Sequence, residues 1–484
     1  MRALLLRAAT LALALSQGTR AASAAALPEP WLEFKAPSAR VIVLTDAGDK
    51  TGRRVAFQIV QFERALGRRF PALRVDQAPP VTVFASVDEN VVRSLAPDTP
   101  DPDAGSSSWL VTSTEAVGAI RADTPDPGDK DRTDRRGYQR GRLAALLEAA
   151  LGKPSPWLSR GFITLFTDTV VRDKEALAGR GLVAEGASAP QPVPSAAEFF
   201  RDGRATDPKF DTQAALFIHF LLTADGGRNG VALDALMQKL AARDAAGAQA
   251  AQAKLIALYA AFPKYAAGRK FAPLKLPLDP GVTAAALGVR TPAPAEVLMR
   301  RAEILFDLNR PVDTRNLLRL AKEADPKLAR PLEIEAVLYE REQRTSESRA
   351  AIEEAIRLGS KNGSLYYRLA QLQWTRSMAK PALTQVAQLL ETARSLSPGD
   401  AAVLTYLAEV QGDLGSSAPA LENAQAAVSA APNDLSALMA LARAQWNARQ
   451  IDAALATAQK AQPLAKVASL RQRVQDFLNF ATAN

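Results

Sequence analysis

Few residues in this 484-residue chain could carry enzymatic chemistry. The sequence contains one histidine, His219, and no cysteine. A catalytic zinc needs three protein ligands, and a zinc-binding helix commonly supplies two histidines at positions i and i+4. Composition therefore excludes a two-histidine zinc helix, thiol catalysis and disulfide bonds. A Ser-His-Asp triad would have to use His219, which lies in the apolar stretch Thr212–Thr223 and has the surroundings of a packed core residue.

Two other patterns resemble chemical sites only in part. Ser377-Met378-Ala379-Lys380 spells the SxxK sequence of some serine enzymes, but the partner motifs are absent. The segment Asp123–Arg136 is rich in aspartate, yet it lacks the Gly and the terminal Glu of a calcium-binding EF-hand loop. We interpret the first pattern as chance and the second as a solvated surface loop.

The stretch Tyr138–Phe166 predicts a helix, a Gly-Lys-Pro-Ser-Pro turn and a second helix. Its second half, Trp157-Leu158-Ser159-Arg160-Gly161-Phe162, resembles the Trp-Leu-x-Glu-Gly helix of the gluzincin-type zinc peptidases called peptidase MA-like. In that family an HExxH helix precedes this helix after a short turn. The resemblance implies an α+β zinc-peptidase scaffold for this part of the chain.

The sequence departs from the family at each metal position. Arg160 stands where the family carries its third zinc ligand, a Glu. The HExxH motif should fall at about Tyr138-Gln139-Arg140-Gly141-Arg142, where there is no His or Glu. These arginines would place positive charge where a dication binds. The resemblance therefore implies a degenerate pseudo-peptidase, for which we expect no metal, no other cofactor and no catalytic residue.

Residues 1–26 have the features of a secretory signal peptide. Arg2 and Arg7 precede the short apolar run Ala8–Ser16, and small-residue cleavage sites follow. The alternative is an ordinary N-terminal helix. The formal net charge is +9, with basic residues dispersed among acidic ones, so nucleic acid is not an expected partner. We expect an exported bacterial protein, periplasmic or secreted, with no integral membrane segment after signal removal.

Residues 27–272 are predicted to form the α+β domain. Arg40–Thr45 and Val81–Ala85 are β-branched runs typical of strands, and Lys50–Gly67 carries an apolar stripe at helical spacing. The order of features resembles the start of TPR-associated peptidase MA-like proteins. Those features are Trp31, Thr45-Asp46-Ala47-Gly48 and Gln61-Phe62-Glu63-Arg64. Residues 273–294 contain prolines and little periodicity, which predicts a linker.

Residues 295–466 repeat. One series of alanines has spacings of 34, 34, 38 and 34 residues: Ala302, Ala336, Ala370, Ala408 and Ala442. A second has spacings of 34, 38, 34 and 34 residues: Ala321, Ala355, Ala393, Ala427 and Ala461. Two helices per 34 residues resemble the tetratricopeptide repeat, TPR, with five units and an insertion of four residues in the third. Residues 467–484 are predicted to form the capping helix that such a solenoid requires.

TPR units stack into a superhelix whose concave face binds peptides or extended segments. In the repeat register we expect that face to include Tyr367, Gln371, Trp374, Thr405, Glu409, Met439, Arg443 and Trp446. Trp374 and Trp446 hold the same position in the third and fifth units. Two interpretations stay open for both tryptophans: packing against the neighbouring unit, or contact with a peptide.

Two functions follow from these patterns. The first is a non-catalytic, exported TPR protein that mediates protein–protein interaction or scaffolding in the cell envelope. The alternative is a hydrolase of the peptidase MA-like class with an atypical or absent metal site. Zinc content distinguishes them, because only the second requires a bound ion.

Overall fold

A computed structural model describes most of the chain. The described residues are 30–36, 40–96, 107–113, 115–123, 125–126, 129–133, 135–172, 174–183, 192–201, 208–268, 271–375 and 378–483. The predicted signal peptide and Ser377 of the SxxK sequence lie outside them. The chain divides into two compact units, Met1–Val297 and Leu298–Asn484, called here the N-terminal and C-terminal units.

A mixed β-sheet of six strands forms one layer of the N-terminal unit, in the order β11-β1-β2-β3-β5-β4. The bounds are β1 Leu32–Lys35, β2 Val41–Thr45, β3 Val81–Ser86, β4 Ser107–Val111, β5 Ala116–Arg121 and β11 Gly288–Arg290. Strand β3 pairs in parallel with β2 and β5, and the outer pairs are antiparallel. The β2–β3 and β4–β5 runs agree with the predicted strands. All six residues of β3 are buried, as expected for a central strand covered on both faces.

Helices cover this sheet and extend into a second, helical core. They are α1 Gly48–Arg69, α2 Glu89–Ser94, α3 Arg136–Leu151, α4 Pro156–Phe166, α5 Arg180–Val183, α6 Ala196–Phe199, α7 Pro208–Thr223, α8 Gly230–Ala241, α9 Ala245–Leu258 and α10 Phe262–Ala266. Helix α1 serves both cores: Val55 and Ile59 pack against the sheet, whereas Phe62 and Leu66 join the helical core. The predicted α+β class is confirmed at this level, and the peptidase likeness stays a prediction.

Two segments differ from their predictions. The segment predicted as a loop over Asp123–Arg136 contains a two-stranded hairpin, β6 Pro125–Asp126 and β7 Asp129–Thr133. Its Pro and Asp content is typical of a turn, and the turn here joins two short strands. A second small sheet has the order β10-β9-β8, with β8 Val170–Val171, β9 Ala176–Ala178 and β10 Leu274–Leu276.

The prediction of a linker over residues 273–294 is wrong. Strand β10 pairs with β9 and strand β11 pairs with β1, so both ends of this segment complete sheets of the N-terminal unit. The Gln61 side chain of α1 donates to the Asp279 and Val282 carbonyls at 2.8 and 2.9 Å, and accepts from the Asp279 N–H at 2.9 Å. Strands of three residues are too short to show an alternating pattern, which is why the sequence resembled a linker.

The C-terminal unit is built from helical hairpins. The helices are α11 Pro294–Asp307, which contains the division between the units, α12 Pro311–Ala324, α13 Arg330–Arg341, α14 Thr345–Arg357, α15 Gly363–Gln373, α16 Lys380–Leu396, α17 Ala401–Asp413, α18 Ser417–Ala430, α19 Leu435–Asn447, α20 Ile451–Ala461 and α21 Ala468–Ala483. The third hairpin has the longest connection, between Gln373 and Lys380, where the insertion was predicted. The predicted helical-repeat fold is confirmed.

Small buried residues let these helices approach closely. All ten alanines of the two series are buried, with at most 3% of their surface exposed. Side-chain caps begin several first helices: Asp400 accepts from the Ala402 N–H at 2.9 Å, and Asp434 accepts from the Ala437 N–H at 2.8 Å. Helix α21 closes the array, because Val474 packs with Leu438 and Ala461.

We expect Ala427→Leu to lower the free energy of unfolding of the C-terminal unit by about 1–3 kcal/mol through overpacking. Ala427 is fully buried and packs with Leu404 and Ala437. The neighbouring Ala426 is exposed, so Ala426→Leu is the matched control, with an effect within about 0.5 kcal/mol. Urea unfolding of both variants measures the difference. Equal midpoints would show that the repeat register is wrong.

Candidate functional site

The peptidase-like positions of helix α3 are held by a carboxylate of helix α1. The Arg142 side chain is fully buried, and its Nε and one terminal nitrogen each donate to a different oxygen of Glu63 at 2.8 Å. Its other terminal nitrogen donates to the Pro79 carbonyl at 3.1 Å. Tyr138, one helical turn earlier, donates its hydroxyl to Glu63 at 3.2 Å. The i and i+4 side chains of this helix therefore converge on Glu63.

The same network fixes the position of α3 in the unit. Burial, followed by the nearby Glu63 carboxylate, raises the pKa of the Tyr138 phenol well above its usual value of 10, so the hydroxyl stays a donor. Gln139 donates from Nε2 to the Thr169 carbonyl at 2.9 Å. Tyr138 also packs edge-on against Trp109, with ring centroids 5.8 Å apart. These contacts are those of a structural helix.

Arg160, at the position of the third family ligand, belongs to a different ion pair. Its Nε lies 2.6 Å from Asp211 Oδ1, and its guanidinium lies 5.6 Å from the Phe210 ring centroid. Arg142 and Arg160 thus have separate carboxylate partners, Glu63 and Asp211. Across the described residues, no three His, Cys, Asp or Glu side chains are grouped so that they could hold a metal ion.

The two motif residues that match the family pack helix α4 against its neighbours. Trp157 contacts Phe199, Phe200 and Phe217, with ring centroids 5.4–6.3 Å away. A Cβ atom added at Gly161 would lie 2.6 Å from the backbone carbon of Ala214 in α7, so only glycine permits this approach. The Trp-x-x-x-Gly spacing therefore serves the α4–α7 contact.

His219 lies in the core, as its apolar surroundings in the sequence indicated. Its side chain is about 2% exposed, Nε2 lies 2.8 Å from the Ala272 carbonyl, and Nδ1 lies 2.6 Å from the Tyr265 hydroxyl. Because the carbonyl can only accept, we assign the proton of the neutral ring to Nε2, and Tyr265 then donates to Nδ1. Burial lowers the pKa of His219 below its usual 6.5.

We expect the free energy of unfolding to fall as the pH is lowered through the usual pKa of histidine. Below about pH 6.5 the unfolded chain takes up a proton at His219, whereas the folded chain takes it up only at lower pH. Above that pH both states are neutral at this residue, and its contribution is constant. Urea unfolding at about pH 7.5 and 5.5 measures the change.

His219→Gln is the control for this titration, because Gln keeps a donor for Ala272 but does not titrate. As the chain has a single histidine, the pH dependence of the variant should be flatter over this interval. Identical pH dependence in both proteins would contradict the assignment.

The residues predicted for the concave face of the repeats surround two cavities in the C-terminal unit. The larger has a volume of about 610 Å³ and is lined by predicted residues on three successive first helices: Tyr367, Trp374, Thr405, Glu409, Met439 and Arg443. The smaller, about 380 Å³, is lined by Trp374, Glu409, Arg443 and Trp446. Trp374, Glu409 and Arg443 line both cavities, so the two form one groove, called here the repeat groove.

Gln371 supports the groove without lining these cavities. Its Nε2 donates to the Tyr367 hydroxyl at 2.7 Å, and its Oε1 accepts from Arg368 at 3.2 Å. Burial, then the neighbouring Tyr406 and Asp400, raise the pKa of Tyr367 to about 12, so its hydroxyl remains protonated at neutral pH. Gln371 therefore holds a groove side chain in place.

Aromatic side chains form much of the groove wall. Tyr406 packs edge-on against Tyr367, with centroids 5.4 Å apart and an interplanar angle of 84°, and against Trp374 at 5.1 Å and 71°. Trp446 packs against Phe480 at 5.2 Å. Trp374 and Trp446 thus both pack against neighbours and line cavities, which joins the two interpretations left open by the sequence.

The charges in the groove balance each other locally. Arg443 donates to Glu409 Oε1 at 3.2 Å, and the two residues lie 34 positions apart, at the same place in consecutive units. By contrast, the indole N–H of Trp374 is buried and has no acceptor among the described residues. A buried donor without an acceptor costs about 1–3 kcal/mol, so this group would gain from a ligand that supplies one.

Sequence reasoning missed two sets of groove residues. Tyr406 follows the predicted Thr405 and was not included, although its aromatic ring is the signal that could have identified it. The capping helix α21 was assigned only to solubility, yet it lines the groove with Leu470, Arg473, Val474, Phe477 and Phe480. The apolar members recur at helical spacing, which shows a buried face but not which neighbour it meets.

No family model and no curated protein matches the chain. Among solved structures, it is similar to YrrB, described as a TPR protein with an unusual peptide-binding site, at 18% identity and a TM-score of 0.33 over 38% of this chain and 93% of that one. A thermophilic TPR protein of Thermus thermophilus is 20% identical, with a TM-score of 0.26 over 38% of this chain and 99% of its own. PilF of Pseudomonas aeruginosa is 16% identical, with a TM-score of 0.28 over 39% and 89%.

Proposed function

We propose that this chain is a non-catalytic binding or scaffold protein whose repeat groove holds an extended segment of a partner protein. The observation that carries the proposal is the groove itself. Three successive repeat units place aromatic side chains around two joined cavities, with a buried indole donor that has no acceptor among the described residues. Aromatic anchors in concave, water-excluding sites are the groups that contribute most to protein recognition.

The proposal assigns the N-terminal unit no hydrolytic role. A zinc-bound water becomes a nucleophile because the ion lowers its pKa, and a neighbouring Glu takes its proton. Here Tyr138 and Arg142 are engaged by Glu63, and Arg160 is engaged by Asp211. Metal analysis of protein purified without chelator tests this assignment. Stoichiometric zinc together with chelator-sensitive cleavage of casein would favour the hydrolase alternative.

We also propose that the chain is exported and acts in the bacterial cell envelope, on the basis of the signal-peptide features of residues 1–26. Among the described residues, no helix has both the length and the apolar character needed to cross a membrane. N-terminal sequencing of the protein from cell fractions is the test. Recovery of Met1 in an envelope-free fraction would contradict export.

Site-specific cross-linking tests the groove directly. A photoreactive amino acid at Thr405, inside the larger cavity, is expected to cross-link a partner protein in envelope extract. The matched control is Glu422, an exposed residue of α18 that lines neither cavity. Equal cross-linking from both positions, or none from Thr405, would contradict the proposed role of the groove.

A further inference from the structure

The groove wall is built from aromatic rings that stand upright to one another. The Tyr406 ring is nearly perpendicular to the rings of both Tyr367 and Trp374, at 84° and 71°. Rings in this arrangement leave narrow clefts between exposed ring faces, and flat, rigid pyrrolidine rings pack well in aromatic-lined grooves. The geometry of the wall therefore favours proline side chains.

The unpaired donor of Trp374 favours a partner backbone with free carbonyls. Its indole N–H is buried without an acceptor among the described residues, while the rest of the ring lines both cavities. A rotation of the side chain toward a ligand breaks no hydrogen bond, since the N–H makes none. A polyproline II segment has no internal hydrogen bonds, so each of its carbonyls is available as an acceptor.

The charges of the groove disfavour a strongly acidic or basic partner. Arg443 is paired with Glu409, and the Asp434 carboxylate caps helix α19 by accepting from the Ala437 N–H. Desolvating such paired groups to bind a charged ligand would cost more than an uncharged ligand requires. The groove thus fits a segment without charged side chains.

The dimensions favour a thin ligand over a helix. Trp374, Glu409 and Arg443 lie where the two cavities, of about 610 and 380 Å³, adjoin. An α-helix with side chains is about 10–12 Å wide, whereas an extended chain contacts the two cavities in turn. From these observations we propose that the repeat groove binds a proline-rich segment in the polyproline II conformation. This inference rests on the proposed function and specifies the chemistry of the partner.

Peptide binding to the full chain tests the inference. The probe is a fluorescein-labelled, amidated decapeptide of proline, measured by fluorescence anisotropy against an alanine-rich helical peptide and an acidic peptide of equal length. We expect the proline peptide to bind at least about ten-fold more tightly than the other two, with little dependence on salt concentration.

Trp374→Phe separates the hydrogen bond from the ring. This variant keeps an aromatic face and removes the N–H, so affinity for the proline peptide is expected to fall about five-fold, the equivalent of one hydrogen bond. Trp446→Phe is the matched control with an effect below about two-fold, because the Trp446 nitrogen is not a buried unpaired donor. An unchanged unfolding midpoint verifies that each variant is folded.

Each outcome decides between the alternatives. Equal affinity for the helical or acidic peptide, no binding of the proline peptide, or full affinity in Trp374→Phe would overturn the inference. If the proline peptide fails while Thr405 still cross-links a partner and Glu422 does not, the proline chemistry is wrong and the binding function stands. If the cross-linking also fails, both are wrong.

Discussion

Glu63→Gln is expected to lower the free energy of unfolding of the N-terminal unit by about 3–5 kcal/mol, the usual effect of breaking a buried ion pair. Gln keeps the size of the side chain but removes its charge. Arg142 would then remain buried without a counter-ion, with the Pro79 carbonyl as the acceptor that the substitution leaves unchanged. Tyr138 would also lose a charged acceptor. Urea unfolding of the full chain measures the change as a shift of the midpoint.

Asp49→Asn on the same helix is the control. Asp49 pairs with Arg53 at 2.9 Å but is 56% exposed, so its loss should cost less than about 1 kcal/mol. The double variant Glu63→Leu with Arg142→Met removes both buried charges and should recover much of the stability that either single change loses. A similar small effect for Glu63→Gln and Asp49→Asn would show that Arg142 is not held by Glu63.

Trp157→Ala is expected to cost about 3–5 kcal/mol, as other large-to-small changes of buried aromatic residues do. Trp157 is about 1% exposed and contacts Phe199, Phe200 and Phe217, so its removal leaves a cavity in an aromatic core that cannot collapse freely. The effect follows from packing alone. It should therefore appear as lost stability whether or not any metal is added.

Trp157→Phe is the matched variant. It keeps most of the ring contacts and removes an indole N–H that is buried without an acceptor among the described residues. We expect it to cost less than half as much as Trp157→Ala, because removing an unpaired buried donor offsets part of the lost packing. Equal costs for the two variants, or a dependence on added zinc, would contradict a purely structural role for this motif residue.

Both predictions concern residues that the sequence selected for a different reason. Arg142 and Trp157 were chosen because they fall at positions of a zinc-peptidase motif, and the structure gives each a packing partner instead. Motif spacing reports only distances along the chain. Glu63 lies 79 positions before Arg142, so their ion pair could not be inferred from spacing.

The sequence by itself determined the parts of this protein that depend on local periodicity. The alanine series specified the helical repeat, its 34-residue period and the unit with the insertion, because small residues must recur wherever two helices meet. The buried strands β2 and β3 were evident from their β-branched runs. The same register placed Tyr367, Thr405 and Met439 correctly on one face, since helical-repeat units are related by nearly constant geometry.

Only the tertiary structure decided the contacts between distant segments. It assigned residues 273–294 to the sheets of the N-terminal unit, because short edge strands are stabilised by partners far along the chain rather than by their own pattern. It added Tyr406 and the face of α21 to the repeat groove, and it left the Trp374 N–H without an acceptor among the described residues. Such features depend on how helices from separate units meet, and no single helix encodes that geometry.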